Sequence, residues 1–124
     1  MLKILIVDDD TNIIDVVKSR LEKNNYEVVS ANNGQQGITM AQQESPDLIV
    51  MDIMMPQLPG SDAVKILRED VSVKCIPIIF LTALASHRAK NGKINVNGQL
   101  FTAVAKPFEP DKLLSAIREL IGDE

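Results

Sequence analysis

An α/β fold, with a parallel sheet covered by helices on both faces, is the architecture this sequence predicts. Five short apolar runs alternate with five stretches of helical character along 124 residues, the pattern of a doubly wound sheet. The central run, within Asp47-Leu48-Ile49-Val50-Met51-Asp52, is continuously apolar rather than alternating, so it reads as a strand buried on both faces. Right-handed crossovers then restrict the chain to a few strand orders.

Each element has its own local reason. Lys3-Ile4-Leu5-Ile6-Val7 is a buried strand that ends at Asp8-Asp9-Asp10. Ile13, Ile14, Val17 and Leu21 follow at helical spacing, with Asp10 or Thr11 as the cap and Asn24-Asn25 as the stop. Tyr26-Glu27-Val28-Val29 is a short second strand, and Asn33-Gly34 turns into a weak helix over Gln35 to Gln43, resting on Ile38 and Ala41. Ser45-Pro46 breaks it before the central strand. Beyond Met54-Met55-Pro56 and the loop Leu58-Pro59-Gly60, Ser61 or Asp62 is expected to cap a helix carrying Val64, Ile66, Leu67 and then Val71. Cys75 to Leu81 reads as the fourth strand, ending at Thr82-Ala83, with Cys75 as a small packed residue. Ser86 to Lys93 reads as a polar fourth helix cut by Asn91-Gly92; Asn97-Gly98 is a turn, and Leu100 to Ala105 a fifth strand ending at Lys106-Pro107-Phe108. Pro110 opens the last helix, with Leu113, Leu114, Ile117, Leu120 and Ile121 on one stripe.

Composition narrows the function. A net charge of -4 and 3% aromatics without Trp speak against direct nucleic-acid binding, which wants basic surface and stacking rings. The apolar N-terminus runs into three aspartates and is too short for a signal peptide or a membrane span. A lone cysteine, Cys75, fits a reducing compartment, so the chain is expected to be cytoplasmic. No linker or repeat divides it, and residues 1–124 read as one domain.

The strand ends carry the chemistry. In a parallel sheet, Asp8-Asp9, Asp52, Thr82 and Lys106, at the ends of strands one, three, four and five, lie along one edge where ligands bind. Like charges 4 Å apart repel by about 4 kcal/mol at an effective dielectric near 20, and Lys106 offsets only one of three carboxylates. A hard divalent cation held through oxygen, Mg²⁺ above all, would bring the cluster to neutrality. Carboxylate nucleophile, cation, fixed lysine and hydroxyl donor are the parts of a phosphoryl-transfer site, and Asp52 is the candidate nucleophile. Singly, each of these residues is as readily a helix cap, a strand-end hydroxyl or a solvated lysine; their joint placement is what points to chemistry.

Ile6-Val7-Asp8-Asp9, Val50-Met51-Asp52-Ile53-Met54-Met55-Pro56, Leu81-Thr82-Ala83 and Lys106-Pro107-Phe108, in this order and each at a strand end, resemble the receiver domain of two-component response regulators over the whole chain. The resemblance implies the flavodoxin-like (βα)5 fold with a five-stranded parallel sheet in order 2-1-3-4-5. It implies that Asp52 is the phosphoacceptor, that Asp9, Asp52 and the Met54 backbone carbonyl ligate Mg²⁺ with Asp8 acting through bound water, and that Thr82 and Lys106 hold phosphoryl oxygens. It further implies a sensor histidine kinase or histidine phosphotransfer protein as phosphoryl donor, and an unknown downstream protein partner. The face of fourth helix, fifth strand and fifth helix would meet that partner or form a weak dimer. No catalytic turnover of an external substrate is implied. A Lys106-Pro107 cis peptide is common in such domains.

The chain departs from the family at Pro59, where an Asp not expected to bind metal often precedes the glycine, and in two weightier places. The Thr82-to-Lys106 interval is about two residues longer than usual, within Ser86 to Gln99, and Ala103 stands where an aromatic usually reports phosphorylation. Phe101 shares the strand face of Ala103 and is a candidate substitute. Met54 and Leu84, both apolar, offer nothing to orient attacking water, so slow self-dephosphorylation is expected. Two other classes compete. A haloacid-dehalogenase-like phosphatase wants an acid where Met54 stands, and a pseudo-receiver acting without phosphate usually lacks one of the residues present here. His87 reads as a surface residue, and Met51, Met54 and Met55 as packing. The chain ends at Glu124, so it either stands alone or belongs to a longer protein.

Overall fold

The computed structural model describes residues 1–82, 92–106 and 109–122. Lys3–Val7 (β1), Glu27–Ala31 (β2), Leu48–Asp52 (β3), Ile78–Thr82 (β4), Lys93–Val96 (β5) and Gln99–Ala105 (β6) form a single sheet in the order β2-β1-β3-β4-β6-β5. The helices among the described residues are Thr11–Lys23 (α1), Gly34–Glu44 (α2), Gly60–Glu69 (α3) and Pro110–Ile121 (α4). The five strands β1, β2, β3, β4 and β6 pair in parallel and keep the flavodoxin-like order. The register sets Val7 opposite Met51 and Asp52 opposite Leu81, and brings Thr82 opposite Ala105.

Because successive strand residues point to opposite faces, the parallel strands split their side chains between two cores. Leu5, Val7, Ile49, Met51, Ile78 and Phe80 pack with α2 and α3, while Ile4, Ile6, Leu48, Val50, Ile79 and Leu81 pack with α1 and α4. All five residues of β3 are buried, as its unbroken apolar run requires.

The far margin of the sheet differs from expectation. Among the described residues there are six strands instead of five, and β5 runs antiparallel to β6, joined by a tight turn at Asn97-Gly98 with φ of 55° and 84°. Both residues take the left-handed conformation, which Asn and Gly adopt most readily and which matches the twist of a two-residue hairpin. Lys93 therefore lies in a strand rather than at the end of a polar helix; the rest of that stretch, Ser86 to Asn91 with His87, lies outside the described residues. The alternation Lys93 out, Ile94 in, Asn95 out, Val96 in is a half-buried strand, and Ile94 and Val96 extend the core over α3. Phe101 and Ala103 lie in that same core. The Phe101 ring stands edge-on to Phe80 at 5.2 Å, with the Arg68 guanidinium 5.4 Å from its centre.

Smaller corrections have equally local causes. Asp10 caps α1 by accepting the Asn12 N–H, as expected. The N-cap of α3 is Pro59, without a side-chain cap, so neither Ser61 nor Asp62 serves. Ile66 and Val71 are exposed, the burial of α3 falling on Ala63, Val64 and Leu67. Cys75 is exposed because β4 begins only at Ile78. Leu120 is likewise exposed on α4, while Leu113, Leu114, Ala116 and Ile117 carry its buried face. No described helix is long and apolar enough to cross a membrane.

Candidate functional site

Asp8 follows β1, Asp52 closes β3, and Lys106 follows β6, so three parallel strands deliver their polar ends to one edge. Asp8 and Asp52 are the two buried charged residues among those described, at 0% and 4% exposure. Buried carboxylates need partners, and these have them. Lys106 Nζ donates to Asp8 Oδ2 at 2.8 Å and lies 3.2 Å from Asp52 Oδ2. Asp8 Oδ1 accepts the Asp10 N–H at 2.9 Å, and Asp52 Oδ1 accepts the Met54 N–H at 3.1 Å. Each carboxylate is thus held by one backbone amide and shares a single ammonium.

Asp9 is exposed beside them, and one carboxylate oxygen from each of Asp8, Asp9 and Asp52 lies within 4.8 Å of the others. Three hard oxygen donors, against one lysine, leave a local charge deficit that suits a divalent cation with a preference for oxygen. The donor set fits Mg²⁺ in chemistry and in charge.

Electrostatics follow the geometry. Burial pushes the Asp52 carboxyl above the usual carboxylate range and the nearby Asp8 charge adds to the rise, against the pull of Lys106. For Lys106, burial acts downward, but the Asp8 hydrogen bond and the attraction of Asp52 and Asp8 outweigh it, leaving the ammonium above its ordinary value. The carboxylate is destabilised and the ammonium stabilised by the same neighbourhood.

The turn behind Asp52 is tightly built. Gly60 N–H donates to the Ile53 carbonyl at 2.8 Å, and a Cβ on Gly60 would overlap the Asp52 carbonyl oxygen. Only glycine lets α3 start this close to β3. Gly60, expected in a loop, is the first residue of α3, as its position just before the apolar pattern of that helix allows. Met55 turns into the core, whereas Met54 is 59% exposed rather than packed. Thr82 ends β4 beside β6; its side chain lies outside the described residues, as do Ala83, Leu84, Pro107 and Phe108. The expected Lys106-Pro107 isomer therefore lies outside them too.

Comparison with known proteins agrees with this geometry. The sequence pattern of the response regulator receiver domain matches residues 4–118. Protein PilH of Pseudomonas aeruginosa is 35% identical over 123 residues, which cover 98% of this chain and 99% of PilH. A protein of Cyanophora paradoxa described as a probable transcriptional regulator, ycf27, is 39% identical over 119 residues, covering 96% of this chain and 48% of that protein. The chain thus spans about half the length of several of its relatives. Among solved structures, the receiver domain of sensor histidine kinase PA1611 from Pseudomonas aeruginosa, which has a magnesium ion coordinated in its active-site cleft, matches with a TM-score of 0.85 at 28% identity, covering 98% of both chains. Chemotaxis response regulator CheY4 of Vibrio cholerae matches with a TM-score of 0.81 at 30% identity over 97% of this chain and 98% of CheY4. With its sheet order, its acidic edge and its lysine in these places, the chain belongs to the receiver domains of two-component response regulators.

Proposed function

We propose that residues 1–124 act as one phosphorylatable switch in a two-component or phosphorelay pathway, with Asp52 as phosphoacceptor. The observation that supports this best is the sharing of one lysine by two buried carboxylates at the carboxyl edge of a parallel sheet. A carboxylate oxygen of Asp52 attacks the phosphorus of a phosphohistidine on a sensor histidine kinase or histidine phosphotransfer protein. The P–N bond breaks, its electron pair returns to the imidazole, and an acyl phosphate remains. A small acyl phosphate would serve as an alternative donor by the same displacement.

Lys106, held between Asp8 and Asp52, pairs with a phosphoryl oxygen as the added charge of about -1 arrives. The Thr82 hydroxyl would hold another. Asp9, Asp52 and the Met54 backbone carbonyl are the groups that would hold Mg²⁺, with Asp8 acting through bound water. An ion held by these groups would supply neutralisation of charge on the phosphoryl oxygens. The protein thereby promotes only its own phosphorylation and dephosphorylation.

The new charge biases the strand ends around it, and the face of β6 and α4 binds or releases an as yet unidentified protein partner, or a second copy in a weak dimer. Direct contact with nucleic acid is not part of this reading, and the working compartment is the cytoplasm. Intact-mass analysis after acetyl phosphate treatment, with and without Mg²⁺, tests the core of it. A single Mg²⁺-dependent phosphoryl adduct, absent in Asp52→Asn, is expected. No adduct from the folded protein with either acetyl phosphate or a kinase donor would refute it.

A further inference from the structure

The loop that leaves Asp52 is pressed against a second glycine. Gly34 opens α2 and is buried, and a Cβ built on it would lie 2.6 Å from the Leu58 carbonyl oxygen, 3.0 Å from Leu58 Cβ and 3.1 Å from Leu58 Cδ2. Contact this close to a backbone oxygen cannot be relieved by rotating a side chain. One of the two segments would have to move.

The helix is the less yielding of the two. Its start is tied by a reciprocal cap: Asn33 Oδ1 accepts the Gln36 N–H at 2.8 Å, and Gln36 Oε1 accepts the Asn32 N–H at 2.8 Å. Ile38 and Ala41 then anchor it in the core. The two ends of the loop are tied to each other by the Gly60 N–H on the Ile53 carbonyl, and Met55, next to Met54, is seated in the core. Between them, Gln57 already has a φ of 71°, unfavourable for a residue with a side chain, and the Leu58 N–H reaches only to the Pro56 carbonyl at 2.8 Å. Displacement at Leu58 therefore passes back along the loop toward Met54, whose amide holds Asp52 Oδ1.

We propose that Gly34 is a positioning residue for the phosphoacceptor site, its missing side chain letting Leu58 seat against α2 so that the Met54 backbone faces Asp52. The proposal rests on the receiver reading above, since it concerns the height of the loop that would offer the Met54 carbonyl to Mg²⁺. Gly37 supplies an internal control. It lies one turn along the same helix, and a Cβ there meets Val7 Cγ2 at 2.8 Å and Cγ1 at 2.9 Å, a crowding of the core rather than of the loop.

Calorimetric titration of Mg²⁺ into the full chain, with amide spectra of the metal-free protein, tests this. Gly34→Ala is expected to weaken Mg²⁺ by about tenfold, the loss typical when groups that orient metal ligands are disturbed, and to move the Met54 and Asp52 amide resonances. Gly37→Ala is expected to move Val7 and its neighbours while keeping the affinity of the unaltered chain. Equal Mg²⁺ affinity in all three proteins, or an equal loss in both variants, overturns the proposal. If Gly34→Ala does not fold, Leu58→Ala loosens the same contact from the loop side without a clash; weakened Mg²⁺ binding there supports the proposal and unchanged binding overturns it. Failure of the unaltered chain to bind Mg²⁺ would overturn the receiver reading together with this inference, and is visible before any variant is made.

Discussion

At the carboxyl edge of the sheet, Asp8 and Asp52 are buried at 0% and 4% exposure around one lysine. At the hairpin margin, Ile94, Val96 and Phe101 are buried at 2%, 7% and 5% among apolar neighbours. Burial is the same; its energetic sign is not. Apolar side chains gain about 25 cal/mol for each Å² removed from water. Charged ones lose hydration, and Coulomb attraction in a partly dry site only partly returns it. The margin therefore stabilises the fold and the edge draws on that stability, which is why a reactive carboxylate can be kept there at all. Phe101, pinned between Phe80 and Arg68, belongs to the stabilising side of this division.

Substitutions separate the two regions, and the largest effect is expected at the margin. Phe101→Ala should cost about 3 to 5 kcal/mol, the range for deleting a buried ring, measured by urea unfolding. The folded fraction should still take up a phosphoryl group in intact-mass analysis; loss of both together would show that the regions are not separable. Lys106→Ala leaves two carboxylates buried without their counter-charge. With the lysine side chain 17% exposed, the loss in metal-free protein should fall below that of a fully buried pair, at about 2 kcal/mol.

Asp52→Asn should act in the opposite direction, stabilising the metal-free protein by about 1 kcal/mol near neutral pH by removing a poorly solvated charge. The sign follows from Asp52 being pushed above its unfolded value. The folded state then binds the proton more tightly, so the stability contributed by this group is greatest below the unfolded pKa. It falls as pH rises through the interval up to the folded pKa. Denaturation across that interval should therefore show the unaltered chain losing this contribution, and Asp52→Asn should lack that slope. A destabilised Asp52→Asn would mean that Lys106 outweighs desolvation.

The smallest effect is expected at the hairpin turn. Asn97 Nδ2 donates to the Ser61 carbonyl at 2.8 Å, the only side-chain hydrogen bond given by the turn to α3 among the described residues. Asn97→Gly keeps the left-handed backbone and removes only that bond, so a loss of about 0.5 to 1 kcal/mol is expected. A larger loss would make the turn a principal tether of the hairpin.

The same two regions differ in how far the sequence discloses them. From β1 to β3 each apolar run is bounded by its own punctuation: Asp8-Asp9-Asp10, Asn24-Asn25, Asn33-Gly34 and Ser45-Pro46. The elements found, Lys3–Val7, Thr11–Lys23, Glu27–Ala31, Gly34–Glu44 and Leu48–Asp52, follow from them within a residue or two. Between Thr82 and Lys106 the local signals conflict. Asn, Gly and Lys suggest a broken polar helix, while Lys93-Ile94-Asn95-Val96 ahead of Asn97-Gly98 carries the period of two and the turn of a hairpin. Four residues are too short for periodicity to decide. What decides is the open flank of β6 and the apolar surface near Phe80 and Phe101, which Ile94 and Val96 cover. Exposure of Ile66 is hidden because helical spacing names a stripe but not the width of the surface that it meets; Val71 and Cys75 are exposed because α3 ends at Glu69 and β4 begins only at Ile78.

For the site, the order of residues along the chain already says which groups arrive together. Parallel strands put their carboxyl ends on one edge, so Asp8, Asp9, Asp52 and Lys106 at strand ends are neighbours by topology alone. How they divide their contacts is set by packing in three dimensions. One lysine serves both Asp8 and Asp52, a backbone amide holds each carboxylate, and Asp9 stays exposed. The reason is physical: strand order follows from hydrophobic pattern and chain connectivity, both local along the sequence. Burial and hydrogen-bond geometry depend on distances between segments far apart in it, down to whether Gly34 and Gly60 leave room for the loop between them.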